Sequence, residues 1–219
     1  MNIGIIGAGN IGGTLAGRFS ALGHHVSVAN SRGPETLADL ARETGATPVS
    51  VTAAAHAGEV VVLTIPLGRV PDLPEDLFKD VPPSVVVIDT CNYYPRRDGR
   101  IDEILSGTPE SQWVERRLGY PVVKAFNNIR AQHLMELGRP AGTPGRIALP
   151  ISGGDPRARQ VVLKLCDELG FDGVDAGPLS ESWRQQPGTP VYTTDLDAEG
   201  VRQALQNASK ERRPEFRAA

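Results

Sequence analysis

The sequence has little of what would tie it to a metal, an oxidising compartment or a membrane. Its 219 residues include two cysteines, Cys91 and Cys166, and four histidines, in no spacing that resembles a metal-ligand set or a disulfide framework. Two distant cysteines fit a reducing compartment. Aromatic residues make up 5% of the chain, and no apolar run reaches the length of a membrane span. There is no block of like charges, and the formal net charge is −3, which argues against nucleic acid or a membrane surface as the main partner. The N-terminus reads as a folded strand and not as a secretory signal, so the expectation is a soluble, cytoplasmic protein. The 40% of hydrophobic residues at this length supports a buried core, in one large domain or a main domain with a smaller appendage.

The most informative stretch is residues 2–32. A short apolar strand, residues 3–6, leads into Gly7, Gly9 and Gly12, spaced G-x-G-x-x-G. A helix over residues 10–22 follows, with Ile11, Leu15, Phe19 and Leu22 at helical spacing and Gly23 as its stop. Each glycine has a task in a dinucleotide site. Gly7 permits the tight turn, Gly9 lets a diphosphate approach the backbone, and Gly12 lets helix pack on strand. The helix N-terminus adds N–H groups and a positive dipole end. Three glycines alone carry little weight; the strand before them and the helix after them are the context that gives the motif its meaning.

A second strand then ends in Asn30, Ser31 and Arg32. NAD-binding proteins usually place a carboxylate there to accept from the ribose 2′-hydroxyl. Here no carboxylate repels a 2′-phosphate, Arg32 offers it a fork of donors and Ser31 a hydroxyl, so the expected cofactor is NADP(H). The strand over 59–65, with its run Val-Val-Val-Leu-Thr-Ile, reads as buried and stops at Pro66, which places Thr64, Ile65 and Pro66 at the ligand edge. The strand over 84–89 runs into Cys91, read as a small apolar side chain and not as a nucleophile. Residues 122–126 deliver Ala125, Phe126, Asn127 and Asn128 to the same edge, the two amides serving either a ring or a turn. His24, His25 and His56 read as surface or edge residues.

Residues 138–145, rich in glycine and proline, mark a boundary. The expected architecture is a Rossmann-type, doubly wound parallel α/β sheet over 1–145 and a smaller α/β unit over 146–219, which binds the acceptor and forms a homodimer. That unit should contain a helix capped by Asp155 and stopped by Gly170, a long loop carrying Trp183, Arg184 and Tyr192, a last helix capped by Asp195 or Asp197, and a frayed tail over 210–219.

Together Gly7-Ala8-Gly9-Asn10-Ile11-Gly12, Asn30-Ser31-Arg32, Thr64-Ile65-Pro66, Val123-Lys124-Ala125-Phe126-Asn127 and Asp175-Ala176-Gly177-Pro178-Leu179 resemble the NADPH-dependent reductases of the deazaflavin coenzyme F420. The Lys-Ala-Phe-Asn stretch is also similar to the reductase domain of the STEAP metalloreductases, which pass hydride from NADPH to a flavin. The resemblance implies contacts to the dinucleotide from Ala8 to Ile11, Ser31, Arg32, Ile65, Pro66 and Ala125. It agrees on NADPH and leaves the acceptor open between coenzyme F420 and a flavin.

The expected activity is hydride transfer between NADPH and such a ring, with the cofactors carrying the chemistry and the protein supplying orientation. No strand end carries an acid–base pair, in keeping with such a reaction. Two other classes stay open. A reductase of a small imine or carbonyl would need a proton donor, for which Tyr93, Tyr94 and Tyr192 are available. A non-catalytic NADPH-binding sensor would use the same binding motifs.

Overall fold

The computed structural model describes residues 1–213 and 216. The N-terminal part alternates strands and helices: β1 (Asn2–Ile6), α1 (Asn10–Ala21), β2 (His25–Ala29), α2 (Ala38–Thr44), β3 (Thr47–Pro48), α3 (Val51–Ala55) and β4 (Val60–Leu63). The middle holds β5 (Val86–Asp89), the short helices α4 (Pro95–Asp98) and α5 (Asp102–Leu105), α6 (Glu110–Leu118), β6 (Val122–Lys124) and α7 (Ala131–Glu136). The C-terminal part adds β7 (Ala148–Gly153), α8 (Pro156–Glu168), β8 (Asp172–Asp175) and α9 (Ala198–Gln206).

The strands form one sheet in the order β3-β2-β1-β4-β5-β6-β7-β8. From β3 to β6 every pairing is parallel. This is the doubly wound order, with its reversal between β1 and β4. The sequence of β4 shows why it lies at the centre. Its residues alternate between faces: Val60 and Val62 enter one core with Leu15 and Phe19 of α1, while Val61 and Leu63 enter the other with Val114 and Leu118 of α6. A strand buried on both faces must be apolar at every position.

The segment after Gly145 extends this sheet instead of forming a separate layer. β7 joins β6 antiparallel through Val123↔Gly153 and Lys124↔Ser152, and β8 lies parallel to β7. A third small core, with Val174, Val191 and Val201, closes this end. The helix cues hold locally: Asp155 caps α8 through the Arg157 N–H, Gly170 takes φ 89° after it, and Asp197, not Asp195, caps α9. The region over 70–78, where two prolines compete with helical spacing, forms a 3₁₀ turn over Leu67–Asp72 and no α-helix. His25 is exposed, but His24 is half-buried, linked to the Met1 amino group and to Glu168.

The tail is tied down where it is described. Arg212 pairs with the fully buried Glu110 at 2.9 Å, and the Phe216 ring packs beside Tyr94 and Tyr192. Burial pushes the Glu110 carboxyl above its ordinary range, against the opposing pull of Arg212 and Lys124. The fraying expected at 214, 215 and 217–219 lies outside the described residues. Among the described residues, no helix is long and apolar enough to cross a membrane, and no group of three or more His, Cys, Asp or Glu side chains is placed to hold a metal.

Candidate functional site

The strand ends on the C-terminal side of the sheet open into a crevice, and the sheet order explains why. Where β1 and β4 lead their connections to opposite faces, the loops part and leave a gap. Two compartments meet there and share Gly9, Thr64, Ile65 and Pro66.

The first compartment, about 800 Å³, is lined by Gly7, Ala8 and Gly9, by Asn30, Ser31 and Arg32, and by Thr64 to Pro66. The three motif glycines differ in what holds them. Gly7 has φ 115°, and a Cβ on it would stand 2.2 Å from the Thr64 carbonyl oxygen. A Cβ on Gly12 would lie 1.9 Å from the Gly7 carbonyl oxygen, so Gly12 is fixed by the packing of α1 on the turn. Gly9 is different: no atom lies within 4 Å of its Cβ position. The fold does not need a glycine there, and the bare backbone leaves open space beside it. Asn10 and Ile11 open α1 beside it, with no acidic residue in the first turn to oppose an anion.

At the far end, Asn30 shapes the loop. Its amide donates to Thr36 Oγ1 and accepts from the Arg32 N–H. The Arg32 guanidinium lines the compartment and makes no hydrogen bond or ion pair among the described residues.

The second compartment, about 500 Å³, lies over β4, β5 and β6. Its walls include Ile11, Cys91, Asn92, Tyr94, Phe126, Asn127 and Tyr192, with Arg97 and Arg130 at the lip. Several expected residues take other roles. Ala125 is fully buried and contributes to the core under the crevice. Asn127 lines the compartment, but its amide is committed inside: it donates to Asn92 Oδ1 and the Gln185 carbonyl and accepts from Gln185 Nε2. Asn128 is buried outside the lining. Trp183 and Arg184 stack on each other away from the crevice, with Arg184 also paired to Glu181. Of the long loop, Tyr192 and Thr193 reach the compartment. Cys91 is fully buried, and burial, then the Asp89 carboxylate, pushes its thiol well up, so it is no nucleophile.

Two features were not read from the sequence. Gln185 is a buried hub: besides Asn127 it donates to the Pro150 carbonyl and accepts from Ser152, joining the loop to β7. Beneath the floor, Lys124 on β6 and Asp89 on β5 form an ion pair at 3.4 Å with neither side chain exposed. Asp89 also accepts from Ser111 and the Cys91 N–H, and Lys124 donates to the Cys91 carbonyl. The signal was visible: a lysine within Val122-Val123-Lys124-Ala125-Phe126 must be buried with a partner.

Comparison with known proteins gives four findings. Residues 2–93 match the family model described as NADP oxidoreductase, coenzyme F420-dependent. The chain is 32% identical to the hypothetical protein SMa0349 of Sinorhizobium meliloti, whose crystal structure aligns with a TM-score of 0.75 over 90% of this chain and 95% of that one. A candidate F420-dependent NADP reductase from Arthrobacter sp. FB24 is 23% identical and aligns with a TM-score of 0.66 over 83% of this chain and 87% of its own, which shows the shared fold. Among curated proteins, YjhV of Escherichia coli K12 is 44% identical over 71 residues. That match takes in 32% of this chain and about half of YjhV (52%).

Proposed function

We propose that this chain, whose residues 2–93 match the model of the coenzyme F420-dependent NADP oxidoreductases, transfers a hydride between NADPH and a deazaflavin or flavin ring. The observation that carries the proposal is the pair of compartments meeting at Gly9 and Thr64–Pro66. Ligand pockets span roughly 300–1,000 Å³, so each is large enough for a ligand group of its own.

Four features fit NADP(H): the open space over Gly9, the N-terminus of α1, Ser31, and the unpartnered Arg32 guanidinium. In this reading Gly7 to Gly12 and the start of α1 hold the diphosphate. Ser31 and Arg32 take the 2′-phosphate, within a loop that Asn30 shapes. Thr64, Ile65 and Pro66 line the passage to the second compartment. NADPH, when bound, supplies the hydride. Ile11, Phe126 and Asn127 would border the reacting ring and keep water from it, with Ala125 supporting them from below. The unit after Gly145 contributes Tyr192 and Thr193 to the acceptor side.

Arg32→Ala should weaken NADPH binding by about 1.5–3 kcal/mol, the scale of a hydrogen bond to a charged group, and leave NADH nearly unchanged. Fluorescence titration of both nucleotides checks this; equal weakening would remove Arg32 from the phosphate.

The activity itself is tested anaerobically with coenzyme F420, flavin mononucleotide, riboflavin, a cyclic imine and an aldehyde. Bleaching of deazaflavin or flavin absorbance that needs NADPH is the expected result. NADPH oxidation by the imine or aldehyde alone would transfer the case to a small-substrate reductase. Tight NADPH binding without turnover of any acceptor would make the protein a sensor.

A further inference from the structure

Hydride transfer leaves an electron pair on the acceptor's heteroatom, and a proton must follow it. The lining of the second compartment holds no carboxylate and no imidazole among the described residues. Its arginines stay protonated, and the Cys91 thiol is pushed well up by burial. Two phenols remain, Tyr94 and Tyr192, and their hydroxyls are hydrogen-bonded to each other across the compartment. The other tyrosines are committed elsewhere: Tyr93 donates to the Gly99 carbonyl, and Tyr120 to the carbonyls of Pro82 and Val85.

The backbone around the pair is under strain. Among the described residues, the non-glycine positions with positive φ are Phe126 (58°) and Thr193 (54°), and both line this compartment. For a β-branched residue such as Thr193 that conformation is costly and persists only where the surroundings impose it. Here the Thr193 N–H is held by the Asn128 carbonyl, which fixes Tyr192 beside it. The Arg97 guanidinium lies 4.8 Å from the Tyr94 ring centre, and the Phe216 ring lies beside both phenols at 6.1 and 6.5 Å.

We propose that Tyr94 is the proton donor of the acceptor compartment and that Tyr192 is its positioning partner, a role that rests on the hydride-transfer reading above. The acceptor is then a conjugated ring or imine whose nitrogen or oxygen gains charge as its carbon, or the neighbouring ring nitrogen, takes the hydride. The new bond to hydrogen forms with the electron pair from the nicotinamide, and an acceptor π-bond breaks to place a pair on the heteroatom. That heteroatom takes the Tyr94 proton as the Tyr94 O–H bond breaks. Tyr192 keeps its own proton and donates a hydrogen bond to the phenolate left behind, beside the Arg97 cation. Water then returns a proton to Tyr94. Burial, with Tyr94 next to it, holds the Tyr192 hydroxyl above its ordinary range, which suits a group that stays protonated.

The test is a Tyr94→Phe and Tyr192→Phe series with the acceptor that wild type turns over best, together with tyrosine ¹³Cζ NMR on the protein alone and with riboflavin added. Tyr94→Phe should lower kcat by roughly 100-fold or more, the usual contribution of a general acid, with NADPH and acceptor dissociation constants within about threefold of wild type. It should also remove the fall in kcat at high pH. Tyr192→Phe should lower kcat less and move that fall to another pH. In the NMR experiment, substituting either tyrosine should shift the other's signal, and riboflavin should shift both but neither Tyr93 nor Tyr120. A Tyr94→Phe variant with near-wild-type kcat would overturn the proposal. So would tyrosine signals that ignore both each other and riboflavin, whatever acceptor wild type uses. A wild type that reduces only the imine would overturn the deazaflavin or flavin acceptor, and the tyrosine ratio on that imine would still decide the donor.

Discussion

Gly9→Ala is expected to fold with wild-type stability and to lose most of its affinity for NADPH. The two halves of this result come from separate observations. A Cβ at this position meets nothing within 4 Å, and the residue's φ of −81° suits alanine, so the folded protein gains no clash. The methyl would occupy the space where a diphosphate approaches the α1 N-terminus. Pushing the diphosphate outward breaks its bonds to the backbone N–H groups, each about 1.5–3 kcal/mol for a charged acceptor. Losing one or two of them weakens binding by roughly 10- to 25,000-fold. Gly12→Ala is the control with the opposite cause, because its Cβ collides with the Gly7 carbonyl and the cost falls on the fold. Thermal melting and NADPH titration of both variants separate the two effects. Unchanged NADPH affinity in a well-folded Gly9→Ala protein would remove the diphosphate from this turn.

Lys124→Met should produce the largest loss of stability. Methionine nearly fills the volume, but Asp89 then keeps Ser111 and the Cys91 N–H as donors without a cation, at a site with no solvent exposure. Removing one partner from a buried pair costs about 3–5 kcal/mol. For a chain of this length that lowers Tm by roughly 6–20 °C. The Cys91 carbonyl loses its donor too, so the segment from Cys91 to Tyr94 in the second compartment should loosen. Adding Asp89→Asn should recover part of the loss, and the double-mutant cycle measures the coupling. A Tm within about 2 °C of wild type would mean that the pair contributes little to stability.

The first compartment was legible because its residues are close in sequence. Gly7, Gly9 and Gly12 lie in one turn, Arg32 closes the next strand, and Thr64–Pro66 stand at the end of the apolar run Val60–Leu63, so the place of each at the crevice follows from neighbours in sequence. The sheet was legible for the same reason, since strands such as β4 announce double burial. The second compartment is assembled from distant segments. Tyr94 and Tyr192 meet across 98 positions, and Asn127 and Gln185 across 58, so their partners cannot be read from spacing. Sequence reading therefore left the Asn127 amide open between a ring and a turn, whereas the structure commits it to Asn92 and Gln185. Trp183, on the long loop, stays outside the crevice because a 3₁₀ turn over Leu179–Gln185 directs Gln185 inward and leaves Trp183 against Arg184 and Lys210. The direction of β7 was equally hidden, for an antiparallel addition depends on which way the chain returns after α7.

The strand order also bears on how the chain emerges during synthesis. Each strand pairs with one made before it: β2 and β4 with β1, β3 with β2, and β5 to β8 each with its predecessor. No strand among the described residues is inserted between two that have already paired. The sheet can therefore be laid down from its middle outward as the polypeptide leaves the ribosome, without reopening a finished ladder. Until β7 arrives, the free edge of β6 carries Lys124, and a lysine on an unfinished edge discourages pairing with a second nascent chain.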